Sequence, residues 1–431
     1  TYAKDVIWWE IASHYEKKTP GILKDLLRIR EKRAGNNSLK KEAAKRLFGD
    51  VLYGSVTRFE QYVQCPFAFF SHYGLLLNER QQYEISSLDH GNLFHQAMEH
   101  LSHELEQRNK NWQDLSEEEA VLLAAECVDA VAERYQGRKY FQSNRVSFML
   151  KRLKNEVVHS VWAMWHQMQE GDFVQTYTEK GFRGNDKEWE SMCIPFGEDA
   201  KICLNGVIDR VDLCSLPGEE LIKIIDYKSS DSQDLSLAKV YYGLQMQLLT
   251  YLEAAKEMVE KEHKGKEAVP AAMLYYAIKE KNLDWKPESE EEYEKRVLDS
   301  MKCKGYVNEE PEIIGHLDKS VVNGGELIPG QKSGVVPVAV DKKGLLKKNS
   351  GTLSTKDFET LIAHTKEKMK ECGKAILDGK IEAIPYVYED NDGCTYCPYG
   401  SVCGHESKKD GVREMKKMSD DEVWEALYGD D

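Results

Sequence analysis

The chain has 431 residues, of which 41% are hydrophobic and 31% are charged. This composition is typical of a globular protein and excludes a disordered one. No apolar run approaches the roughly 18 residues that a membrane span needs. The formal net charge of −15 argues against a general nucleic-acid coat, which is normally basic, but allows an enzyme that holds DNA in one local groove.

The first segment, residues 1–50, is predicted to be helical. Its opening, TYAKDVIWWE, lacks the basic region and long apolar stretch of a signal peptide, which favours a cytosolic protein. It also lacks an initiator Met, so we expect a piece of a longer polypeptide. We interpret residues 1–50 as the helical tail of an upstream domain.

Capping patterns mark the next helices. Thr57 and Glu60 have the spacing of a capping box, and the helix they begin should end near Cys65, which precedes a proline. A second helix should begin near 89–91, where apolar residues follow at helical spacing. Ser116–Glu119 is another capping box. Helices over 117–135 and 144–169 then form a helical insertion at about residues 100–170.

Strand patterns follow this helical region. Two segments rich in β-branched residues are separated by Leu216-Pro217-Gly218, a turn signal. Alternation of strands and helices predicts an α/β core with a mixed sheet. A stretch at about 280–350 is polar and broken by glycines, and we expect part of it to be an exposed insertion. The predicted elements are strands 201–214, 220–230 and 271–278, and helices 241–258 and 356–378.

A carboxylate and a lysine end the second strand. Asp226 and Lys228 are two residues apart, so they point to the same face. Asp209 on the preceding strand would stand beside Asp226 in a hairpin, where two carboxylates repel unless a cation lies between them. This arrangement suits phosphodiester cleavage with Mg²⁺, in which Lys228 would assist the attacking water. Taken alone, Asp226 and Lys228 are more often a surface pair.

Three further patterns strengthen the hypothesis of a catalytic site. GVIDRVD (206–212) lies upstream at hairpin distance from IDYK (225–228). Gln247 and Tyr251 are four residues apart on a predicted helix, as are His95 and Glu99. Individually, His95 is more often a core histidine and Tyr251 a packing residue. That all these patterns occur together, in this order along the chain, favours a catalytic site.

Four of the ten cysteines form a pattern. Cys394, Cys397 and Cys403 have the spacing C-x₂-C-x₅-C, and Cys65 lies far upstream in FEQYVQCPFAFF. Three local thiolates with one remote thiolate favour an iron–sulfur cluster over structural zinc, which more often uses two local pairs. His405 is an alternative fourth ligand. The other six are interpreted as ordinary buried residues: Cys127, Cys193, Cys203, Cys214, Cys303 and Cys372.

The order GNLFH, GVIDRVD, IDYK, QLLTY resembles the motif set of the RecB-family branch of the PD-(D/E)XK nucleases. The resemblance implies a restriction-endonuclease-like core, in which a mixed sheet is flanked by helices. It makes Lys228 the catalytic lysine, with Gln247 and Tyr251 in support. Glu179 stands where the family often has an acidic residue. The metal ligands that the resemblance implies are His95, Asp209, Asp226 and the backbone carbonyl of Tyr227.

The segments SVTRFEQYVQCPFAFF and CTYCPYGSVC resemble the paired cysteine motifs of AddB-type proteins, which bind a 4Fe–4S cluster. The resemblance implies that Cys65, Cys394, Cys397 and Cys403 hold this cluster as a structural staple joining the two ends of the domain. The nuclease domain would then span 51–431, and residues 1–50 would end an inactivated helicase-like region.

The implied function is that of a DNA exonuclease module dependent on Mg²⁺ or Mn²⁺. It would hydrolyse the 5′-terminated strand during double-strand-break processing for recombinational repair. An AddA-like helicase–nuclease protein would form a heterodimer with it and deliver single-stranded DNA in the bacterial cytoplasm at the nucleoid, without a membrane. The absence of a P-loop sequence fits this division of labour. The alternatives are an inactive nuclease-fold scaffold or DNA clamp, and a redox-sensing iron–sulfur protein.

Overall fold

The computed structural model describes residues 6–25, 38–78, 87–136, 144–183, 189–197, 199–228, 234–278, 289–405 and 411–429. These residues belong to two compact units. One comprises 1–50, 61–79 and 372–417, and the other comprises 51–60, 80–371 and 418–431. Within the described ranges, no helix is both long and apolar enough to cross a bilayer.

Fourteen α-helices occur in the described ranges, with a π-helical turn at Phe70–Gly74 and 3₁₀ turns at Trp112–Asp114 and Lys319–Val321. In chain order they are α1 Val6–Lys18, α2 Lys41–Phe48, α3 Val56–Gln64, α4 Pro66–Phe69, α5 Ser87–Gln107, α6 Glu117–Gln136, α7 Asn144–Gln169, α8 Leu237–Tyr241, α9 Gln247–Glu262, α10 Glu290–Ser300, α11 Pro311–Leu317, α12 Thr355–Leu377, α13 Gly400–Cys403 and α14 Asp420–Tyr428.

The strands of the larger unit form three sheets, and those of the smaller unit form one. In chain order the strands are β1 Val51–Gly54, β2 Val174–Phe182, β3 Met192–Phe196, β4 Ala200–Leu204, β5 Gly206–Leu216, β6 Glu219–Lys228, β7 Glu267–Ala277, β8 Lys304–Asn308, β9 Val322–Asn323, β10 Glu326–Leu327, β11 Thr352–Leu353, β12 Tyr386–Tyr388, β13 Asn391–Asp392 and β14 Arg413–Glu414.

A six-stranded mixed sheet in the order β11-β8-β7-β6-β5-β2 is the core of the larger unit. β6 pairs in parallel with β7, whereas β5 pairs antiparallel with both β2 and β6. Helix α9 packs on β6 and β7. On the opposite face, Arg210 of β5 reaches the sulfur atoms of Met164 and Met168 on α7. The predicted α/β core, a mixed sheet flanked by helices, is therefore confirmed.

The helix predicted to begin near 89–91 occurs as α5, and the helices predicted over 117–135 and 144–169 occur as α6 and α7. The Ser116 backbone N–H donates to Glu119 Oε2 at 3.0 Å, and the Glu119 N–H donates to Ser116 Oγ at 3.2 Å. The capping box predicted at the start of α6 is thus confirmed. Apolar residues of all three helices, such as Phe94, Ala124 and Val161, are buried in one core with the adjoining sheet face.

Several expected elements differ in the structure. The strand predicted over 201–214 is divided at Asn205, because β4 joins the three-stranded sheet β1-β4-β3 while β5 joins the main sheet. The helix predicted over 241–258 is divided by residues 242–246 into α8 and α9. Helix α3 begins at Val56, so Thr57 is already helical and cannot be its N-cap residue. Apolar content and local capping patterns do not predict where these strands and helices are divided or begin, because tertiary contacts decide it.

The polar stretch at 280–350 contributes to the core as well as to the surface. Helix α10 has no buried residue, which agrees with the expected exposed insertion. However, β8 pairs antiparallel with β7 in the main sheet, and Val307 of β8 is fully buried. Residues 279–288 of the stretch lie outside the described ranges.

The interpretation of the six scattered cysteines is wrong for two of them. Cys193 of β3 and Cys203 of β4 are directly opposite each other in an antiparallel pair and are joined by a disulfide. Cys193 is exposed, unlike the other scattered cysteines. The remaining four are buried, as expected: Cys127, Cys214, Cys303 and Cys372.

Candidate active site and cysteine-lined cavity

Three carboxylates occupy one level of three neighbouring strands. The register pairs Arg210 with Ile225, which brings Asp209 of β5 level with Asp226 of β6. Likewise, β2 pairs with β5 on both sides of Glu179, which brings Glu179 level with Asp209. Like charges directly opposite one another destabilise a sheet. This row therefore carries an electrostatic cost that a bound cation would remove.

His95 of α5 completes the cluster. Its Nδ1 lies 2.8 Å from Glu179 Oε1 and 3.6 Å from Asp209 Oδ1. Ligand atoms of His95, Glu179 and Asp209 all lie within 4.8 Å of one another. Glu179 has a φ of 46°, in the left-handed region that non-glycine residues rarely adopt. This backbone strain at a carboxylate of the cluster is typical of a functional site.

Burial makes the two aspartates costly to ionise. Asp209 is 8% exposed and Asp226 is 2% exposed. Burial is the main cause that raises the pKa of Asp209, and the neighbouring Asp226 charge raises it further. Burial also raises the pKa of Asp226, although the Lys228 ammonium opposes this. Oxygen ligands with one imidazole fit a hard divalent cation, which would stabilise the ionised carboxylates.

An ion pair followed by two hydrogen bonds links Asp226 to α9. Lys228 Nζ lies 2.5 Å from Asp226 Oδ2 and donates to Gln247 Oε1 at 3.0 Å. Gln247 Nε2 donates to the Tyr251 hydroxyl at 3.0 Å. Residues 247 and 251 are one helical turn apart and therefore share the face of α9 that meets the sheet. The ammonium of Lys228 is thus held beside the carboxylate row.

The opposite face of the same two strands contains a buried ion cluster. Asp212 is fully buried, and its carboxylate lies 2.7 Å from Arg210 Nε and 2.9 Å from Lys223 Nζ. Tyr227 follows Asp226 in the chain, and its backbone N–H donates to Asp209 Oδ2 at 2.7 Å. Hence two sets of contacts join the strand segments that carry the two aspartates. One is this hydrogen bond, and the other is the buried ion cluster on the opposite face of the sheet.

Two glutamates that belong to sequence patterns, Glu60 and Glu99, have surroundings in the structure that those patterns did not predict. Glu60 does not cap α3 but accepts the backbone N–H groups of Met246 and Gln247, at 2.6 and 3.2 Å. No local pattern could have shown this, because the partners lie 186 and 187 residues away. Glu99, one turn after His95, lines a separate cavity of about 670 Å³ beside β2.

The four patterned cysteines meet in the smaller unit. Cys65, Cys394, Cys397 and Cys403 line one cavity of about 240 Å³, together with His405. Burial raises the pKa of the Cys65 thiol, and the nearby Cys403 and Cys397 thiols raise it further. A buried thiol such as Cys65, with other thiols close by, is suited to a metal centre, because a bound metal stabilises the thiolate form. The cavity therefore fits a thiolate-bound group, and the position of His405 leaves it as an alternative ligand.

Tyr399 stabilises the chain around this cavity. It is buried, and its hydroxyl lies 2.8 Å from His72 Nδ1 and donates to the Leu77 carbonyl at 3.1 Å. The hydroxyl of Tyr62 similarly donates to the Lys380 carbonyl at 3.0 Å. These bonds join segments more than 300 residues apart in the chain.

Comparison with known proteins shows the family of this chain. The chain is 35% identical over 396 residues to the B-type subunit of the ATP-dependent helicase/deoxyribonuclease of Lachnoclostridium phytofermentans, covering 91% of this chain and 33% of that protein. The corresponding proteins of Alkaliphilus metalliredigens and Listeria welshimeri are each 31% identical, over 98% and 94% of this chain and 36% and 34% of their own lengths. The chain thus spans about a third of these relatives. Residues 54–404 match the PD-(D/E)XK nuclease superfamily, and the chain belongs to this family.

Proposed function

We propose that the chain is the nuclease module of a helicase–nuclease complex and hydrolyses phosphodiester bonds of DNA with a divalent cation. The observation that carries the proposal is the row of Glu179, Asp209 and Asp226 on adjacent strands, with Lys228 paired to Asp226. The names of the relatives, which are deoxyribonuclease subunits, support DNA as the substrate.

The cation would be held by His95, Asp209 and Asp226, with the Tyr227 carbonyl as a further ligand and Glu179 adjacent. Mg²⁺ is preferred because most of these donors are oxygen atoms, and Mn²⁺ is the alternative. When bound, the ion polarises the scissile phosphate and lowers the pKa of water. His95 also contacts Glu179, which orients its ring.

Lys228 supplies the charge that acts on the reacting groups. Its ammonium orients the attacking water and stabilises negative charge that develops on the phosphate. Gln247 limits the positions open to the ammonium, since Gln247 Oε1 accepts a hydrogen bond from Lys228 Nζ. Tyr251 holds the amide of Gln247 from the other side. Lys228, Asp209 and Asp226 thus form the catalytic group, and Gln247 and Tyr251 support it.

The partner protein and the biological process are proposed from the names of the relatives. We propose an AddA-like motor protein as the partner, which passes single-stranded DNA from an unwound duplex end to this module in the bacterial cytoplasm. Cutting of the 5′-terminated strand would then serve double-strand-break processing. The relatives are named as subunits of an ATP-dependent helicase/deoxyribonuclease, which supports such a complex.

A 4Fe–4S cluster is proposed for Cys65, Cys394, Cys397 and Cys403. The support is their common cavity together with the three-plus-one spacing. We assign the cluster a structural role and give residues 51–431 to the nuclease domain that it closes.

Degradation of end-labelled single-stranded DNA with Mg²⁺ tests the function. The native protein, with any co-purifying partner, is compared with Asp226→Ala and with the surface control Asp129→Ala. We expect cutting by the native protein and the control, and a rate at least about a thousandfold lower for Asp226→Ala, since a ligand and the partner of Lys228 are both lost.

Two results would contradict the proposal. Equal cutting by Asp226→Ala would indicate a contaminating nuclease and a wrong site. If iron-loaded native protein cut neither single-stranded DNA nor an unwound duplex, an inactive scaffold that clamps DNA would be the better description.

A further inference from the structure

Glu60 of α3 is a charged residue whose partners lie at the start of another helix. Its Oε1 accepts the backbone N–H of Met246 at 2.6 Å and that of Gln247 at 3.2 Å. Met246 is fully buried and is the N-cap residue of α9, where its own side chain provides no capping bond. Glu60 therefore supplies an acceptor that the sequence of α9 lacks.

The energetic reason for this contact is general. The first N–H groups of a helix have no acceptor within the helix, and a carboxylate at this end also interacts favourably with the helix dipole. Burial raises the pKa of the Glu60 carboxyl to about 7, which these two backbone bonds oppose. A buried carboxylate costs free energy. If capping of α9 were its only role, Ser, Thr or Asn at position 246 would provide the same acceptor at a lower cost.

The contact also leads directly to the catalytic lysine. Gln247, whose backbone Glu60 holds, accepts a hydrogen bond from Lys228 Nζ through its side chain. Both ends of Gln247 are thus fixed, one by Glu60 and the other by Lys228 and Tyr251. A shift of the first turn of α9 would move Gln247 Oε1 away from the ammonium.

We infer that Glu60 is a positioning residue, which fixes the first turn of α9 so that Gln247 holds Lys228 in its catalytic position. This role rests on the proposed nuclease function. It differs from the role of a metal ligand, because Glu60 acts through the backbone of Gln247.

A double-mutant cycle on DNA cleavage tests the inference. The variants are Glu60→Ala, Glu60→Gln, Gln247→Ala and the double variant Glu60→Ala/Gln247→Ala, in the complete complex. Glu60→Ala should lower kcat about tenfold without changing KM for DNA, because Lys228 loses its fixed position while the groups that bind DNA are unchanged. Glu60→Gln should restore most of this loss, because its amide oxygen accepts the same N–H groups. The double variant should be no slower than Gln247→Ala.

A matched control separates positioning from simple stability. Glu292 receives the Ser289 N–H and caps α10, which has no buried residue. Glu292→Ala should lose a cap while kcat stays native. If the losses of Glu60→Ala and Gln247→Ala multiplied, or if Glu60→Ala kept native kcat below its melting temperature, the inference would be overturned.

Crystal structures of Glu60→Ala and Glu60→Gln give a second readout that does not need activity. The Lys228 Nζ to Gln247 Oε1 contact should be broken in Glu60→Ala and kept in Glu60→Gln. An unchanged contact in Glu60→Ala would refute the inference even if the native protein proved inactive. Inactivity of the native protein, with the contact broken as expected, would refute only the nuclease proposal.

Discussion

At the scale of single residues, the candidate site combines charges that a folded protein avoids without compensation. Asp209 and Asp226 are buried next to each other and to Glu179, and Lys228 and His95 bring positive charge close to them. Burying carboxylates costs several kcal/mol per ion unless partners offset it. We therefore expect stability and function to oppose each other at this site.

The substitution Asp209→Asn tests whether the buried carboxylate lowers stability while it serves cation binding. Without divalent cations, the variant should melt at or above the native temperature, because one buried like charge is removed while Asn can still accept the Tyr227 N–H. With Mg²⁺ at a hundredfold excess over its Kd, the native protein should gain about 2.7 kcal/mol and the variant much less. Thermal melts with EDTA and with Mg²⁺ measure both effects, and Asp129→Asn serves as the surface control. Equal stabilisation of Asp209→Asn and native protein by Mg²⁺ would exclude Asp209 as a ligand.

At the scale of elements, β5 and β6 carry different chemistry on their two faces. One face has Asp209 and Asp226, whereas the other has Arg210, Asp212 and Lys223 packed against α7. Alternation of side chains along a strand produces this division. The Arg210 and Lys223 charges lower the pKa of Asp212 despite its burial. The ion cluster therefore depends on all three members.

Removing the anion of this cluster should be far more damaging than breaking a surface pair. Asp212→Ala leaves two buried cations without their partner, which costs about 3–5 kcal/mol. Asp129→Ala breaks an exposed pair with Lys154, which contributes about 0–1 kcal/mol. Urea unfolding midpoints compare the two, and activity measured at low temperature shows whether the site survives. Similar midpoints for both variants would show that the buried cluster adds no stability.

At the scale of the whole chain, the cysteine cavity joins distant parts of the sequence. Cys65 and Cys394 are separated by roughly 330 residues, so a group bound to both closes a very long loop. The free energy of binding such a group is also free energy of folding. The cluster should therefore determine the stability of the smaller unit.

Loss of a cluster ligand should remove iron and stability together. Cys65→Ser, purified without oxygen, should contain little iron and melt several degrees below the native protein. Cys127→Ser is a matched control, because Cys127 is also buried but packs in the core of the larger unit. It should keep native iron content. An iron-free Cys65→Ser protein that kept the native melting temperature would refute a structural role, and reversible spectral changes of an exposed cluster would favour redox sensing.

Much of this protein follows from local sequence. Capping residues, apolar spacing and β-branched segments predicted α5, α6, α7 and the strands β5 and β6, because these signals act within a few residues. The motif order also predicted which residues to examine, and the structure brings His95, Asp209, Asp226 and Lys228 together. Their roles remain predictions.

Other features depend only on the tertiary structure. The role of Glu60 at α9, the row formed by Glu179 with the aspartates and the pairing of Cys193 with Cys203 all join residues on different elements. The division of 201–214 between two sheets is of the same kind. Local sequence determines which elements form and which chemical groups they carry. Strand register and helix packing, which bury charges at long sequence separation, decide which groups meet.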